Sequence, residues 1–334
     1  MRGKRRPYYL WIDDNPYRRR MAQEIEDVTG IKVVFRNVKN KDLAQEIADL
    51  LKKRKPGLVL IDHFLDVSRT DGFGISHGST IAETFREHWQ GCPIIGITAA
   101  KKRPNVDHHK ESIYDLLYSY TNFSGSIEYL PIIAEGFHSL SRSKIKNVDN
   151  IIRRLKAPKE EWNRIESVLP DDLKREFNDL TLPSRLFKWV RNPLIMRPGF
   201  LYDQLWVATL LGLRETGFEK VKELFSPALY YGIFASPTEP RWWASEIRRI
   251  VYSKCLDSEG RLPWEVGRNL PGIIESDFSK CYSSNEPYPE IVAFVDEESD
   301  ERHPMCLRYT VPHPKYEKLL FFEEIRMMAE RDKG

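Results

Sequence analysis

Short apolar runs alternate with amphipathic stretches through the first hundred residues. Residues 8–12, set between Pro7 and the polar Asp13-Asp14-Asn15-Pro16, are too few for a helix and rich in aromatic and apolar side chains, which predicts a buried strand. Pro16 suits the first turn of a following helix with Asn15 as its cap; Met21, Ile25 and Val28 keep the helical period, and Gly30 stops it. Strands are predicted again at 31–35, 58–61 and 93–97. Between them lie helices at 42–53, with Leu43, Ile47, Leu50 and Leu51 on one face, and at 79–89, with Ile81, Phe85 and Trp89. Residues 58–61 are apolar on both faces, as in a central parallel strand. The alternation implies an open parallel sheet covered by helices on both sides. Beyond it, Ile113, Leu116, Leu117 and Tyr120 predict a helix over 112–120, and residues 126–130 a fifth strand.

The rest of the chain has a different texture. Residues 141–179 are polar and predict two or three amphipathic helices broken at Pro158 and Pro170, with Asp171 capping the last. Residues 181–255 are apolar and aromatic, with helix signals at 201–213, at 217–225 and from Pro240 onward. On the last of these, Trp243, Ile247, Ile250 and Val251 share one face, and Arg241, Arg248, Arg249 and Tyr252 the other. Residues 290–296 and 305–311 alternate as a hairpin, and 315–328 closes as an amphipathic helix. The expected organisation is an α/β domain over 1–140, a helical connector over 141–180, and a mixed α+β domain over 181–334.

Composition narrows the function classes. With 41% hydrophobic and 30% charged residues, the 334-residue chain is ordinary for a globular protein. The net charge of +3, from 52 basic and 49 acidic side chains, gives no argument for nucleic acid, because phosphate binding depends on clustered positive charge. No apolar run is long enough to cross a bilayer, and no signal-peptide core follows the basic start, so no membrane partner is expected. The four scattered cysteines form no CxxC pair, which suits a reduced, cytoplasmic protein. Cys255, Cys281, His303 and Cys306 lack zinc-ribbon spacing and read as buried thiols instead.

The chemistry concentrates at predicted strand ends. Asp13 and Asp14 follow the first strand, Asp62 the third and Thr98 the fourth, and in such sheets function gathers beyond the carboxyl ends. Three carboxylates in one crevice repel each other unless a cation joins them, and hard oxygen ligands favour Mg²⁺. A carboxylate beside a metal can then act as nucleophile toward a phosphoryl group, with a nearby hydroxyl bonding its oxygens. Simple helix capping accounts for one acid, not for two plus Asp62. Gly72, Gly74 and Gly78 follow the third strand without G-x-G-x-x-G spacing and read as loop flexibility. His63 faces away from Asp62 and reads as a satisfied histidine. Asp62, Asp66 and Asp13 together suggest a Mg²⁺ hydrolase centre, but no general base or substrate clamp accompanies them.

With those residues in place, 8–135 resembles the receiver domain of two-component response regulators. The paired acids match Asp13-Asp14, the phosphoacceptor matches Asp62, the switch threonine matches Thr98-Ala99, and Asp71-Gly72 matches the pair that often follows the phosphoacceptor loop. The resemblance implies a flavodoxin-like, doubly wound, five-stranded parallel sheet. It further implies Mg²⁺ held by Asp13, Asp14 and Asp62, phosphoryl transfer from a histidine kinase to Asp62, and no catalysis beyond autophosphorylation and dephosphorylation there. Two departures stand out. Receivers carry a lysine just after the fifth strand; with that strand at 126–130, Ile132 takes its place. The loop over 66–78 is also longer than usual.

Three readings therefore remain. One is a phosphorylated receiver that controls a C-terminal output domain. Another is a pseudo-receiver serving as a protein-interaction module in a multiprotein defence or stress assembly. A DNA-binding regulator using Arg248 and Arg249 is the third, although no helix-turn-helix spacing precedes them.

Overall fold

In the computed structural model, residues 7–39, 42–65, 78–99, 113–142, 145–179, 181–253, 262–286, 291–295, 302–312 and 326–328 are described. The chain forms two compact units. The first holds residues 1–146 and 175–188, the second residues 147–174 and 189–334.

Unit one is built on five parallel strands: β1 (Tyr9–Asp13), β2 (Val33–Asn37), β3 (Leu58–Asp62), β4 (Ile94–Thr98) and β5 (Leu116–Ser119), in the order β2-β1-β3-β4-β5. The strands β1, β3 and β4 are buried along their whole length, while β2 and β5 at the edges are only partly covered. This explains the continuous apolar runs of the first set, since a central parallel strand is covered on both faces. Helices α1 (Arg19–Thr29), α2 (Leu43–Leu51) and α3 (Gly78–His88) follow β1, β2 and β3, and α4 (Leu130–Arg142) follows β5. Leu10, Ile12, Val59 and Ile61 pack with Ile47, Ile81 and Phe85 in one core cluster. Trp11, of opposite parity on β1, meets Phe35 and Phe123 edge-on instead.

The first four predicted strands and three helices are present, with shifts of a residue or two at their ends. The fifth strand is a correction. Residues 116–119, expected in a helix, form β5, paired with β4 from Ile95↔Leu116 to Thr98↔Ser119. Residues 126–130, expected as that strand, form a 3₁₀ turn leading into α4, and Ile132 lies inside α4. Ile132 is thus not the residue that follows the fifth strand. Tyr120 is.

Just before β5, the buried Asp115 accepts hydrogen bonds from Ile94 N (2.7 Å), Arg86 Nη2 (3.0 Å) and Ser184 Oγ. A buried carboxylate is tolerated only when paired and bonded in this way, and Ser184 ties the segment 175–188 to the sheet.

Unit two is mainly helical with a small antiparallel sheet. Helices Gln204–Leu210, Glu215–Val221, Ala244–Ser253 and Pro263–Arg268 enclose a core around Phe218, Phe225, Trp242, Ile247 and Val266. Strands β6 (Leu201–Tyr202) and β7 (Trp242–Trp243) pair, and β8 (Ile291–Val295), β9 (Arg302–Cys306), β10 (Thr310–Pro312) and β11 (Arg326–Met328) form a sheet in the order β10-β11-β8-β9. The predicted hairpin is β8–β9, although its second strand starts earlier than expected. Helices Val148–Arg154, Trp162–Val168 and Asp171–Arg175 break at Pro158 and Pro170, as the sequence suggests. The closing helix predicted over 315–328 is corrected at its end, where Arg326–Met328 pairs with β10 as a strand; residues 315–325 lie outside the described residues.

One close approach holds the end of β3. A Cβ on Gly78 would lie 2.1 Å from the Asp62 carbonyl oxygen and 2.7 Å from Ile61 Cγ2. The start of α3 can sit there only without a side chain. Gly78→Ala is therefore expected to lower the urea midpoint by the equivalent of about 1–3 kcal/mol; an unchanged midpoint would mean that β3 and α3 separate freely.

Candidate functional site

Every strand of the parallel sheet ends in a polar residue: Asp13, Asn37, Asp62, Thr98 and Ser119. Register places them in a row, with Asp13 opposite Asn37, Asp62 opposite Ile97, and Thr98 opposite Ser119. The carboxyl edge is the polar edge. Asp13, Asp14 and Asp62 meet there, each offering a carboxylate oxygen within 4.8 Å of the others, with Asp13 and Asp62 buried and Asp14 half-buried. Thr98 is buried at the end of β4, on the same edge.

A fourth side chain enters this corner. Asn15 caps a 3₁₀ turn, Pro16–Arg18, by accepting from Tyr17 N (3.1 Å), and its own N–H donates to Asp13 Oδ1 (2.8 Å). The turn swings Arg18 back over the strand ends. Arg18 Nη1 donates to Asp13 Oδ2 at 3.0 Å and to Asp62 Oδ2 at 2.9 Å. The Arg18 guanidinium carbon lies 3.3 Å from the centroid of the Tyr120 ring, and the Tyr120 hydroxyl donates to Asp13 Oδ2 (2.9 Å). Asp62 Oδ1 accepts from Phe64 N (3.2 Å). Both oxygens of each buried carboxylate are therefore engaged within the chain.

Burial pushes the Asp62 carboxyl up to about 7, reinforced by repulsion from Asp13, while Arg18 and the Phe64 N–H pull the other way. Asp13 is pushed up to about 6, again first by burial. Among the described residues, Arg18 bonds both buried acids at once.

The oxygen donors are of the class that Mg²⁺ prefers, but their arrangement does not fit it. Mg²⁺ needs oxygen ligands at about 2.0–2.1 Å in an octahedron. Here the inward oxygens of Asp13 and Asp62 already share one Arg18 nitrogen, and a metal on those oxygens would collide with it.

Sequence reasoning places the acids and Thr98 on this edge, and the structure brings Asp13, Asp14 and Asp62 together there, since Asp13, Asp62 and Thr98 each end a readable strand. It missed Arg18, although three acids in one crevice were a signal to look for a side-chain cation as well as a metal. Tyr120 was missed because β5 was taken for a helix. Asp66, Asp71, Gly72 and His77 lie outside the described residues. His63 is buried beside Asp62, with Nδ1 3.3 Å from the Tyr114 hydroxyl.

Elsewhere, Arg249 Nε donates to Glu246 (2.9 Å) and Arg248 Nη2 to the Tyr202 hydroxyl (2.7 Å). Cys281 and Cys306 are buried, and Cys281 Sγ accepts from Cys306 N at 3.4 Å. Among the described residues, no helix is long and apolar enough to cross a membrane.

The strand order 2-1-3-4-5 with helices on both faces is the flavodoxin-like arrangement. No protein-family model matches the chain, and no curated protein matches it. Solved receiver domains do match its N-terminal part. They include the signal receiver domain of an HD domain-containing protein from Pseudomonas fluorescens Pf-5 (18% identity, 40% of this chain and 99% of that chain, TM-score 0.32). The receiver domain of the putative response regulator NarL from Mycobacterium tuberculosis is similar (16%, 40% and 99%, 0.31). So is the response regulator TrrA from Thermotoga maritima in complex with Mg²⁺ and BeF (17%, 37% and 98%, 0.27). The likeness is one of fold. At these identities and scores it adds nothing to the assignment, which stands on the strand order.

The buried acids make stability depend on pH with a definite sign. Their folded-state values lie above the ordinary aspartate value of 3.8, so the native chain holds these protons more tightly than the unfolded one. Their favourable contribution is complete below that value and is lost as pH rises to about 7. Asp62→Asn, which cannot ionise, is expected to lose less stability than wild type across that window, measured by urea midpoints. Parallel pH profiles would contradict the assignment.

Proposed function

We propose that the chain is a regulatory protein whose first unit, of receiver type, works as a protein-docking module of the pseudo-receiver kind and not as a phosphorylated switch. The observation that carries this reading is the state of the Asp62 carboxylate. Its Oδ2 is bonded to Arg18 and its Oδ1 to the Phe64 N–H. A phosphoacceptor needs an oxygen directed at the incoming phosphorus and a metal to take up the transferred charge. Neither requirement suits a carboxylate held in a charge-assisted bond on one side and a backbone bond on the other.

The position after β5 supports the same reading. Where the receiver pattern carries a lysine that contacts the phosphoryl group, this chain has Tyr120, whose hydroxyl is committed to Asp13. A tyrosine supplies no positive charge to a phosphoryl oxygen. The reading assigns no turnover to unit one. It makes a separate protein partner the recipient of the docking, and no histidine kinase is required.

Incubation of the whole chain with Mg²⁺ and acetyl phosphate, followed by intact-mass spectrometry, tests the proposal. Wild type is expected to show no phosphoryl adduct, like Asp62→Ala. An adduct on wild type that Asp62→Ala lacks would establish the phosphoacceptor in its place.

A further inference from the structure

We infer that Arg18 is the resident cation of this corner, a side chain standing where a divalent metal would otherwise be needed, and that its removal exposes a latent Mg²⁺ site made of Asp13, Asp14 and Asp62. The inference rests on the receiver-type reading of unit one and names how its acidic edge is held.

The need for a cation is set by charge. Two of the three acids are buried, and their facing oxygens lie within 4.8 Å of each other. Buried like charges at such separation require a counter-charge or a proton. Arg18 supplies the charge with one nitrogen, Nη1, at 3.0 Å from Asp13 and 2.9 Å from Asp62.

Three features hold it there. The turn that carries Arg18 is fastened to Asp13 itself, through the Asn15 N–H at 2.8 Å. The centroid of the Tyr120 ring lies 3.3 Å from the guanidinium carbon, a cation–π contact. The Tyr120 hydroxyl then bonds the same Asp13 oxygen that Arg18 uses, closing a ring of Asp13, Arg18 and Tyr120. The Arg18 side chain is left only 19% exposed. The tethered cation is already in place, so a metal from solution must break both of its bonds to reach the same oxygens. Metal and guanidinium claim the same two oxygens, and occupancy is exclusive.

Magnesium alone, with no phosphoryl donor, tests this on the whole chain by thermal melting. Wild type is expected to show no rise beyond that given by NaCl of equal ionic strength. Arg18→Gln is expected to melt below wild type without metal and to rise by about 3 °C in about 10 mM Mg²⁺, the shift for a millimolar site. Adding Asp62→Asn to Arg18→Gln is expected to abolish the rise. A wild-type rise equal to that of Arg18→Gln overturns the inference, and so does a folded Arg18→Gln that ignores Mg²⁺. If Arg18→Gln is unfolded in metal-free buffer, refolding by Mg²⁺ supports the inference and failure to refold counts against it. A silent Arg18→Gln leaves the docking reading standing, since only a phosphoryl adduct removes that.

Discussion

Two carboxylates buried side by side at the end of a parallel sheet constrain everything around them. Asp13 and Asp62 occupy adjacent strands, so the sheet itself brings them together and no local adjustment can part them. Water is largely excluded, and the desolvation of each acid is a cost that pairing or a proton offsets. The chain meets it with Arg18, and the surrounding details follow. Asn15 must cap the turn, Pro16 must open it, and Tyr120 must lie flat enough to receive the guanidinium. Arg18 thus links the first β–α connection to the ends of β1 and β3 and to the residue after β5.

The same constraint explains why the corner differs from a metal site while keeping its ligands. A divalent ion would offset more of the acidic charge, but it arrives from solution and must be held by acids free to coordinate it. A guanidinium five residues from Asp13 is always present. It gives up charge for permanence, and burial still pushes both acids toward neutral pH. Such a corner suits a surface whose shape is constant, with Asp14 half-buried beside the pair.

How far this was legible from sequence depended on burial. Strands β1, β3 and β4 are covered on both faces, so they read as unbroken apolar runs with an acid or threonine at the end. That made the acids and the sheet legible together. β5 is an edge strand of four residues, half-covered throughout. Its neighbours Ile113 and Tyr120 supplied a false helical period around Leu116 and Leu117, while the alternation of Ile127 and Tyr129 mimicked a strand where the chain turns into α4. With β5 misplaced by about ten residues, Ile132 stood in for Tyr120 and the aromatic partner of Arg18 was hidden. Arg18 itself carries no local signal, because the pairing that matters spans 44 residues to Asp62 and exists only once β1 and β3 are side by side. In the second unit, the strand at Arg326–Met328 falls within a stretch whose apolar spacing is also helical, and pairing with β10 decides between them.

The most direct test of the account is anomalous diffraction from wild-type crystals grown in Mn²⁺. It predicts no anomalous peak between Asp13 and Asp62, with the Arg18 guanidinium density bridging the two carboxylates against the Tyr120 ring. A peak within coordination distance of Asp13 and Asp62, with Arg18 turned outward, would contradict it.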